Sequence, residues 1–221
     1  SPDGQLYFIS DRSGWWNLYR WVETSNTAEC LRQMEAEFGE PAWSFRQSTY
    51  AFESPQRLVC TYTQNGHSYL ATIDTRSLEL RTYDLPYTDF GYLRTTPGRA
   101  VFGGGSPTHA WAILQVDLST RQVEELKCST NLKIDPEFLS IPQPVEFPTE
   151  NGLTAHAIYY PPKNRDFIAP VGEKPPLRVL SHGGPTGSTS TNLSLGIQYW
   201  TSRGFAILDV NYGGSTGYGR E

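Results

Sequence analysis

A repeat in the first half of this 221-residue chain constrains its fold more than any other feature. Arg57–Glu79 holds two short runs of alternating apolar residues, a polar turn at Asn65-Gly66 and an aspartate, Asp74. Arg99–Glu124 repeats the pattern, with Asp117 43 residues after Asp74. Repeats of about 40–45 residues with several strands each are typical of β-propeller blades. The sequence therefore predicts propeller blades over this half.

An earlier copy of the same pattern covers Gln5–Trp21. Three units are too few to close a ring, because propellers have about four to eight blades. We therefore expect further blades before Ser1 and interpret the chain as an internal fragment of a longer protein. A first residue other than Met and a glycine-rich loop just before Glu221 favour the same interpretation.

Composition and charge argue against several classes of function. The formal net charge of −5 disfavours a nucleic-acid or anionic-membrane surface, since both need a basic face. The longest apolar run, Ala110–Leu114, is far shorter than the roughly 20 residues of a membrane span. The three cysteines contain no C-x-x-C pair, so neither a disulfide framework nor a zinc site is indicated. We expect a cytoplasmic protein.

One stretch of the first half, Glu29–Phe38, is a candidate helix, and acidic residues crowd its end at Glu35, Glu37 and Glu40. These carboxylates could anchor the amino terminus of a substrate. They could equally belong to a solvated loop between strands. We favour the loop, because charged residues are mostly found on protein surfaces.

The pattern changes after Cys128. A proline-rich connector leads into a hairpin, and a strand–helix–strand unit follows. Two apolar strands joined by a helix favour a parallel α/β sheet. The predicted elements are strands at Val145–Phe147, Thr154–Tyr160, Leu177–Ser181 and Phe205–Asn211, and a helix with Leu193, Ile197 and Trp200 on one face, ended by Gly204.

The turn Ser181–Gly187, after the first parallel strand, is the main candidate for chemistry, because ligands bind at the carboxyl ends of such strands. Gly183 and Gly184 let a substrate carbonyl approach the backbone, and Pro185 has no N–H to donate. An amide aimed at a developing oxyanion is worth about 2.7–4 kcal/mol of barrier. The alternative is a sharp turn that needs glycine only for its dihedral angles.

Two neighbouring features resemble catalytic groups. His182 could act as a general base, but the catalytic histidine of this architecture normally follows the nucleophile, so we interpret His182 as a structural residue of the turn. Gly213–Gly217 matches G-x-S-x-G around Ser215. A nucleophile elbow runs directly into a helix, whereas Tyr218-Gly219 continues a glycine-rich loop, so we do not interpret Ser215 as the nucleophile.

Taken together, three motifs resemble the prolyl oligopeptidase family of serine peptidases, and within it the acylaminoacyl-peptidase and dipeptidyl-aminopeptidase-like members. The motifs are Ser1–Gly4, His182–Pro185 and Asn211–Gly219. The resemblance implies that residues 1–130 are the last blades of a propeller. It implies that residues 131–221 begin an α/β-hydrolase domain whose remainder lies beyond the chain.

The resemblance also implies a mechanism. The intact protein would hydrolyse short peptides, or remove N-terminal (acyl)amino acids or dipeptides, through an acyl-enzyme. Gly183 would supply one oxyanion donor, with Gly184 as the neighbouring candidate, and the Ser, Asp and His of the triad would follow Glu221. The chain alone would then be inactive. No cofactor or metal is implied, the partners are peptide substrates, and homo-oligomer formation is left open. Many relatives have Arg where this chain has Gly213.

Two alternatives remain open. A carboxylesterase or lipase shares the hydrolase core and the glycine turn, but not the blades. A non-catalytic propeller used for protein binding would keep the blades and carry a degenerate hydrolase domain.

Overall fold

The computed structural model describes residues 1–184 and 186–220, which form two compact units. The first unit comprises residues 1–104, residues 112–128 and the segment from Thr216 onward. The second comprises residues 105–111 and 129–215. No helix in these described residues has the length and apolar character that crossing a lipid bilayer requires.

Three antiparallel sheets make up most of the first unit, and each is built from strands consecutive in the chain. The first sheet contains β1 (Tyr7–Ser10), β2 (Asn17–Val22) and β3 (Thr27–Cys30). The second contains β4 (Tyr50–Ser54), β5 (Arg57–Gln64), β6 (His67–Asp74) and β7 (Leu80–Thr82). The third contains β8 (Asp89–Thr96), β9 (Arg99–Gly105), β10 (Ala112–Asp117) and β11 (Val123–Cys128). Four-stranded antiparallel sheets of this kind are consistent with the predicted propeller blades.

The repeat read from the sequence is confirmed at atomic detail. Asp74 ends β6 and Asp117 ends β10, and one carboxylate oxygen of each accepts hydrogen bonds from the two amides that begin the next turn. These backbone hydrogen bonds lower the pKa of both carboxyls below its usual value. Leu78 and Arg121 occupy the same later position in the two turns, with φ of 59° and 63°.

Alternating side chains on the sheet faces form two apolar clusters, each drawn from two neighbouring sheets. Tyr7 and Leu18 of the first sheet pack with Leu58 and Ile73 of the second. Leu70 of the second sheet packs with buried residues of the third, among them Phe102 and Leu114. Burying apolar area at about 25 cal/mol per Å² is the main stabilising contribution to such a stack.

Glu29–Phe38, the candidate helix of the sequence, is strand β3 followed by irregular chain, as the favoured loop interpretation expects, but Glu37 within it is buried rather than solvated. The side-chain amide of the fully buried Asn17 forms hydrogen bonds with backbone groups of this segment. Its Nδ2 donates to Met34 O and Ala36 O at 3.0 and 3.1 Å, and its Oδ1 accepts from Met34 N at 2.8 Å. The backbone of Glu37 then pairs with Thr63. With these backbone groups satisfied by tertiary contacts, a helix has no advantage.

A four-stranded mixed sheet and one short helix make up most of the second unit. The sheet order is β12–β13–β15–β14, and only β14 and β15 are parallel neighbours. The helix connects these two strands, as predicted, and its Ile197 packs on Ile158, Tyr160 and Ile207 of the sheet. The elements are β12 (Gln143–Pro148), β13 (Thr154–Tyr160), β14 (Leu177–Ser181), α1 (Leu195–Thr201) and β15 (Ala206–Asn211).

Gly204 ends α1, as the sequence predicts. Its φ of +87° allows the paired bonds Gly204 N to Thr201 O and Phe205 N to Trp200 O, which are typical of a Schellman motif. In the middle of the helix, the buried Gln198 side chain accepts from Ser140 N and donates to Ser140 O. This pair of hydrogen bonds fixes the connector before β12 to the helix and so to the sheet.

Candidate active site

The candidate site of the second unit lies where the two parallel strands end. Ser181 of β14 is paired with Val210 of β15, so the residues that follow both strands emerge at the same edge of the sheet. The glycine-rich turn begins at His182 and the second glycine-rich segment begins at Tyr212. Two motifs about 30 residues apart in sequence are therefore brought together.

The two predicted oxyanion donors lie on the exposed part of this turn. Gly184 has a φ of +75°, in the left-handed region that favours glycine, whereas Gly183 does not. No atom lies within 4 Å of a Cβ added to either glycine, so the space beside both is open. Within the described chain, no acceptor takes the amide hydrogen of Gly183. Pro185, which completes the predicted motif, lies outside the described residues.

His182 is held inside the turn by contacts on both ring nitrogens. Its Nε2 lies 2.7 Å from Ser215 Oγ, and its Nδ1 lies 3.3 Å from Gly183 O. The ring stacks on that of Tyr212 with centroids 4.4 Å apart. The chain also closes tightly around the imidazole, because a Cβ on Gly187 would lie 2.9 Å from His182 Nδ1. These contacts agree with the structural role predicted for His182.

Ser215 has one property of an activated nucleophile, a hydrogen bond to a histidine, but lacks the others. Ser215 is only 3% exposed, so little of it is open to a substrate carbonyl. The Nδ1 side of His182 faces Tyr212 Oη and Gly183 O rather than a carboxylate. No helix follows Ser215 in the described residues, where turns continue instead. The geometry therefore agrees with the interpretation that Ser215 is not a nucleophile elbow.

The contacts among Tyr212, Ser215 and His182 were not predicted from the sequence. The signal that could have revealed them is the position of both motifs directly after strands predicted to be parallel neighbours. Ser215 N donates to Tyr212 O at 3.0 Å, and this turn places both side chains against one imidazole.

Comparison with known proteins supports the resemblance in the sequence. No family model matches the chain. The chain is 31% identical over 187 residues to the acylamino-acid-releasing enzyme of Sus scrofa, and 35% identical over 88 residues to dipeptidyl aminopeptidase BIII of Pseudoxanthomonas mexicana. A solved structure of a Mycobacterium tuberculosis puromycin-hydrolyzing peptidase is 37% identical over 98% of the chain, with a TM-score of 0.93. These similarities are consistent with a fragment of a peptidase of the prolyl oligopeptidase family.

The chain spans only part of the length of these relatives. It covers 24% and 12% of the two curated relatives, and 34% of the solved peptidase. Gly213 stands where the resemblance described above leads us to expect Arg. Nothing lies within 4 Å of a Cβ added to Gly213, so the backbone at this position has room for a side chain.

The three acidic residues predicted near the end of Glu29–Phe38 differ in their exposure to solvent. Glu35 and Glu40 are exposed, whereas Glu37 is only 7% exposed and accepts hydrogen bonds from Trp16 N at 2.7 Å and Gly219 N at 3.2 Å. Burial raises the pKa of the Glu37 carboxyl above its usual value, and the negative charge of Asp11 raises it further. The hydrogen bonds from the two amides lower the pKa and offset only part of this rise. Because both oxygens of Glu37 are engaged by backbone amides, this carboxylate holds together its own unit.

A separate groove in the second unit has a volume of about 1320 Å³ and is lined by residues that include Tyr159, Asn164 and Thr201. Tyr159 lies near the C-terminal end of β13 and pairs with Leu208, in the first half of β15. The glycine turn follows Ser181, which pairs with Val210 near the other end of β15. The groove is therefore distinct from the candidate active site. Among the described residues, no cluster of three or more His, Cys, Asp or Glu could hold a metal ion.

Proposed function

We propose that the chain is part of a serine peptidase and that its Gly183 amide stabilises the oxyanion of the tetrahedral intermediate. One observation carries the proposal: the Gly183 N–H has no acceptor among the described residues, on an exposed turn at the carboxyl end of β14. A peptide carbonyl placed beside Gly183 would meet a donor that is already oriented. Donors fixed before the reaction need no reorganisation as charge develops, so they favour the transition state over the ground state.

Each part of the chain has a role in this proposal. Residues 1–130 would be propeller blades that restrict access, and residues 131–221 would begin an α/β-hydrolase domain. The parallel pair β14–β15 with its connecting helix supports that assignment. The serine, aspartate and histidine would come from a longer polypeptide of the length of the relatives. The serine attacks the carbonyl, the histidine takes its proton and returns it to the leaving amine, and water releases the acyl-enzyme.

The substrates we propose are short peptides, cleaved with release of N-terminal (acyl)amino acids or dipeptides. The support is that the named relatives are an acylamino-acid-releasing enzyme, a dipeptidyl aminopeptidase and a puromycin-hydrolyzing peptidase. A carboxylesterase is the alternative. The two are separated by comparing the rates at which a polypeptide as long as the relatives hydrolyses p-nitrophenyl esters and aminoacyl anilides. A cytoplasmic location stays a prediction.

The role of Ser215 is tested on the 221-residue chain itself. We expect no labelling of the purified chain by a fluorophosphonate probe, because the Ser215 hydroxyl is buried and committed to His182. The polypeptide of relatives' length, labelled in parallel, is expected to react and serves as the positive control. Labelling of the chain that Ser215→Ala abolishes would show that Ser215 is a nucleophile and would overturn the proposal.

A further inference from the structure

Tyr212 contacts two residues of the glycine turn, His182 and Gly184. It directly follows β15, and its ring stacks on His182 at an interplanar angle of 23°. Its hydroxyl lies 3.3 Å from His182 O, 3.3 Å from His182 Nδ1, and within hydrogen-bond distance of Gly184 O. A single side chain thus faces the carbonyl groups of residues 182 and 184, on either side of Gly183.

The neighbours of the imidazole determine where its hydrogen lies. Gly183 O, which can only accept, is 3.3 Å from Nδ1, so Nδ1 must carry the hydrogen for this contact to be favourable. A neutral imidazole carries a single N–H, so Nε2 is the acceptor and takes the hydroxyl hydrogen of Ser215 at 2.7 Å. With Nδ1 a donor, the single Tyr212 hydroxyl hydrogen is shared between two carbonyl oxygens, the nearer Gly184 O and His182 O at 3.3 Å.

This direction fixes the orientation of the amide group that contains the Gly183 nitrogen. In a planar trans peptide, the carbonyl oxygen and the amide hydrogen point in opposite directions. Because His182 O faces the Tyr212 hydroxyl, the Gly183 N–H points away from Tyr212, and no described group accepts it. Loss of the hydroxyl would remove this restraint on the orientation of the peptide group.

We propose that Tyr212 is a positioning residue whose hydroxyl, by holding the carbonyls of His182 and Gly184, keeps the Gly183 amide aimed at the oxyanion. This inference rests on the proposed function of Gly183. Tyr212 does not touch the substrate in this proposal. Its effect is on the transition state alone, since the oxyanion forms only there.

The kinetic test uses Tyr212→Phe in the polypeptide of relatives' length, because phenylalanine keeps the stacked ring and removes only the hydroxyl. We expect kcat on an aminoacyl anilide to fall on the order of 10-fold to 100-fold, with KM within about twofold, because small displacements of a catalytic donor are costly. Tyr199→Phe, on the 51%-exposed Tyr199 of α1, is the matched control and should leave both constants unchanged. An unchanged kcat in Tyr212→Phe would overturn the proposal.

A second measurement does not depend on activity or on a variant that must fold. The ¹⁵N chemical shifts of the His182 ring, measured in the 221-residue chain at neutral pH, report which nitrogen carries the hydrogen. We expect the Nδ1–H form. The Nε2–H form would mean that Nδ1 accepts the Tyr212 hydroxyl hydrogen, which overturns the proposal whatever the kinetics show. If the Nδ1–H form were found but the longer polypeptide cleaved no peptide, the result would support the proposed geometry around Tyr212 and contradict the proposed function.

Discussion

Replacing Gly183 by proline is expected to lower kcat of the proposed peptidase by about 100-fold to 1000-fold, the loss measured when one oxyanion donor is removed. Proline has no amide hydrogen, so Gly183→Pro deletes the donor. At this position nothing lies within 4 Å of an added Cβ, and the backbone of Gly183 is not in the left-handed region that proline cannot adopt. The measurement is kcat and KM on an aminoacyl anilide.

Gly183→Ala is the matched control, because alanine adds a Cβ but keeps the amide hydrogen. We expect Gly183→Ala to lose clearly less kcat than Gly183→Pro, since it keeps the donor and adds only a Cβ beside the approaching carbonyl. Thermal unfolding of both variants separates loss of a donor from loss of the fold. Equal activity in the proline and alanine variants, at equal stability, would mean that the Gly183 amide is not a catalytic donor.

The largest expected effect on stability comes from Asn17. Its buried side-chain amide makes three hydrogen bonds with the backbone of Met34 and Ala36. Leucine has a similar shape but no polar atoms, so Asn17→Leu leaves these backbone groups without partners. Each buried group left unsatisfied costs about 1–3 kcal/mol, and because only the bond to Ala36 O is fully buried we take the lower part of that range for the three groups and expect the free energy of unfolding to fall by about 3–5 kcal/mol.

Urea unfolding of the 221-residue chain measures this loss, and Asn131→Leu, at an exposed position, is the control. The control should change the free energy of unfolding by no more than about 0.5 kcal/mol. If the two variants lost the same amount, the path of residues 31–38 would not depend on Asn17, and the packing of the first sheet would need another explanation.

Local patterns in the sequence predict much of the fold. The alternation of apolar residues locates strands β5, β6, β9 and β10, and the 43-residue spacing of Asp74 and Asp117 predicts two turns with the same hydrogen bonds. In the second half, two apolar strands and a helix ended by Gly204 predict the parallel pair. Each of these features depends on residues close together in the chain, which is why a single sequence reveals it.

Features that depend on distant residues were missed. Residues 31–38 have the composition of a short helix, but Asn17 and Thr63 satisfy their backbone groups in an extended path. Glu37 reads as a surface charge, yet its carboxylate is buried against the amides of Trp16 and Gly219, which is 182 positions away. Local composition carries no information about which amides a carboxylate will meet.

In the candidate site, too, the sequence predicts the local features and misses the contacts between distant residues. The sequence identifies the glycine turn and separates it from the G-x-S-x-G segment, but it treats the two as independent. The structure joins them through His182, which contacts both Tyr212 and Ser215. That contact exists because β14 and β15 are adjacent and parallel, a consequence of sheet order rather than of either motif.

One measurement bears most directly on the role of Gly183: a crystal structure of the polypeptide of relatives' length after reaction with a peptidyl boronate, which forms a tetrahedral adduct on the nucleophile. We expect an adduct oxygen about 2.7–3.1 Å from the Gly183 nitrogen, in line with its N–H. An adduct whose oxygens all lie beyond hydrogen-bonding distance of that nitrogen, or a Gly183 N–H bonded within its own backbone, would contradict it.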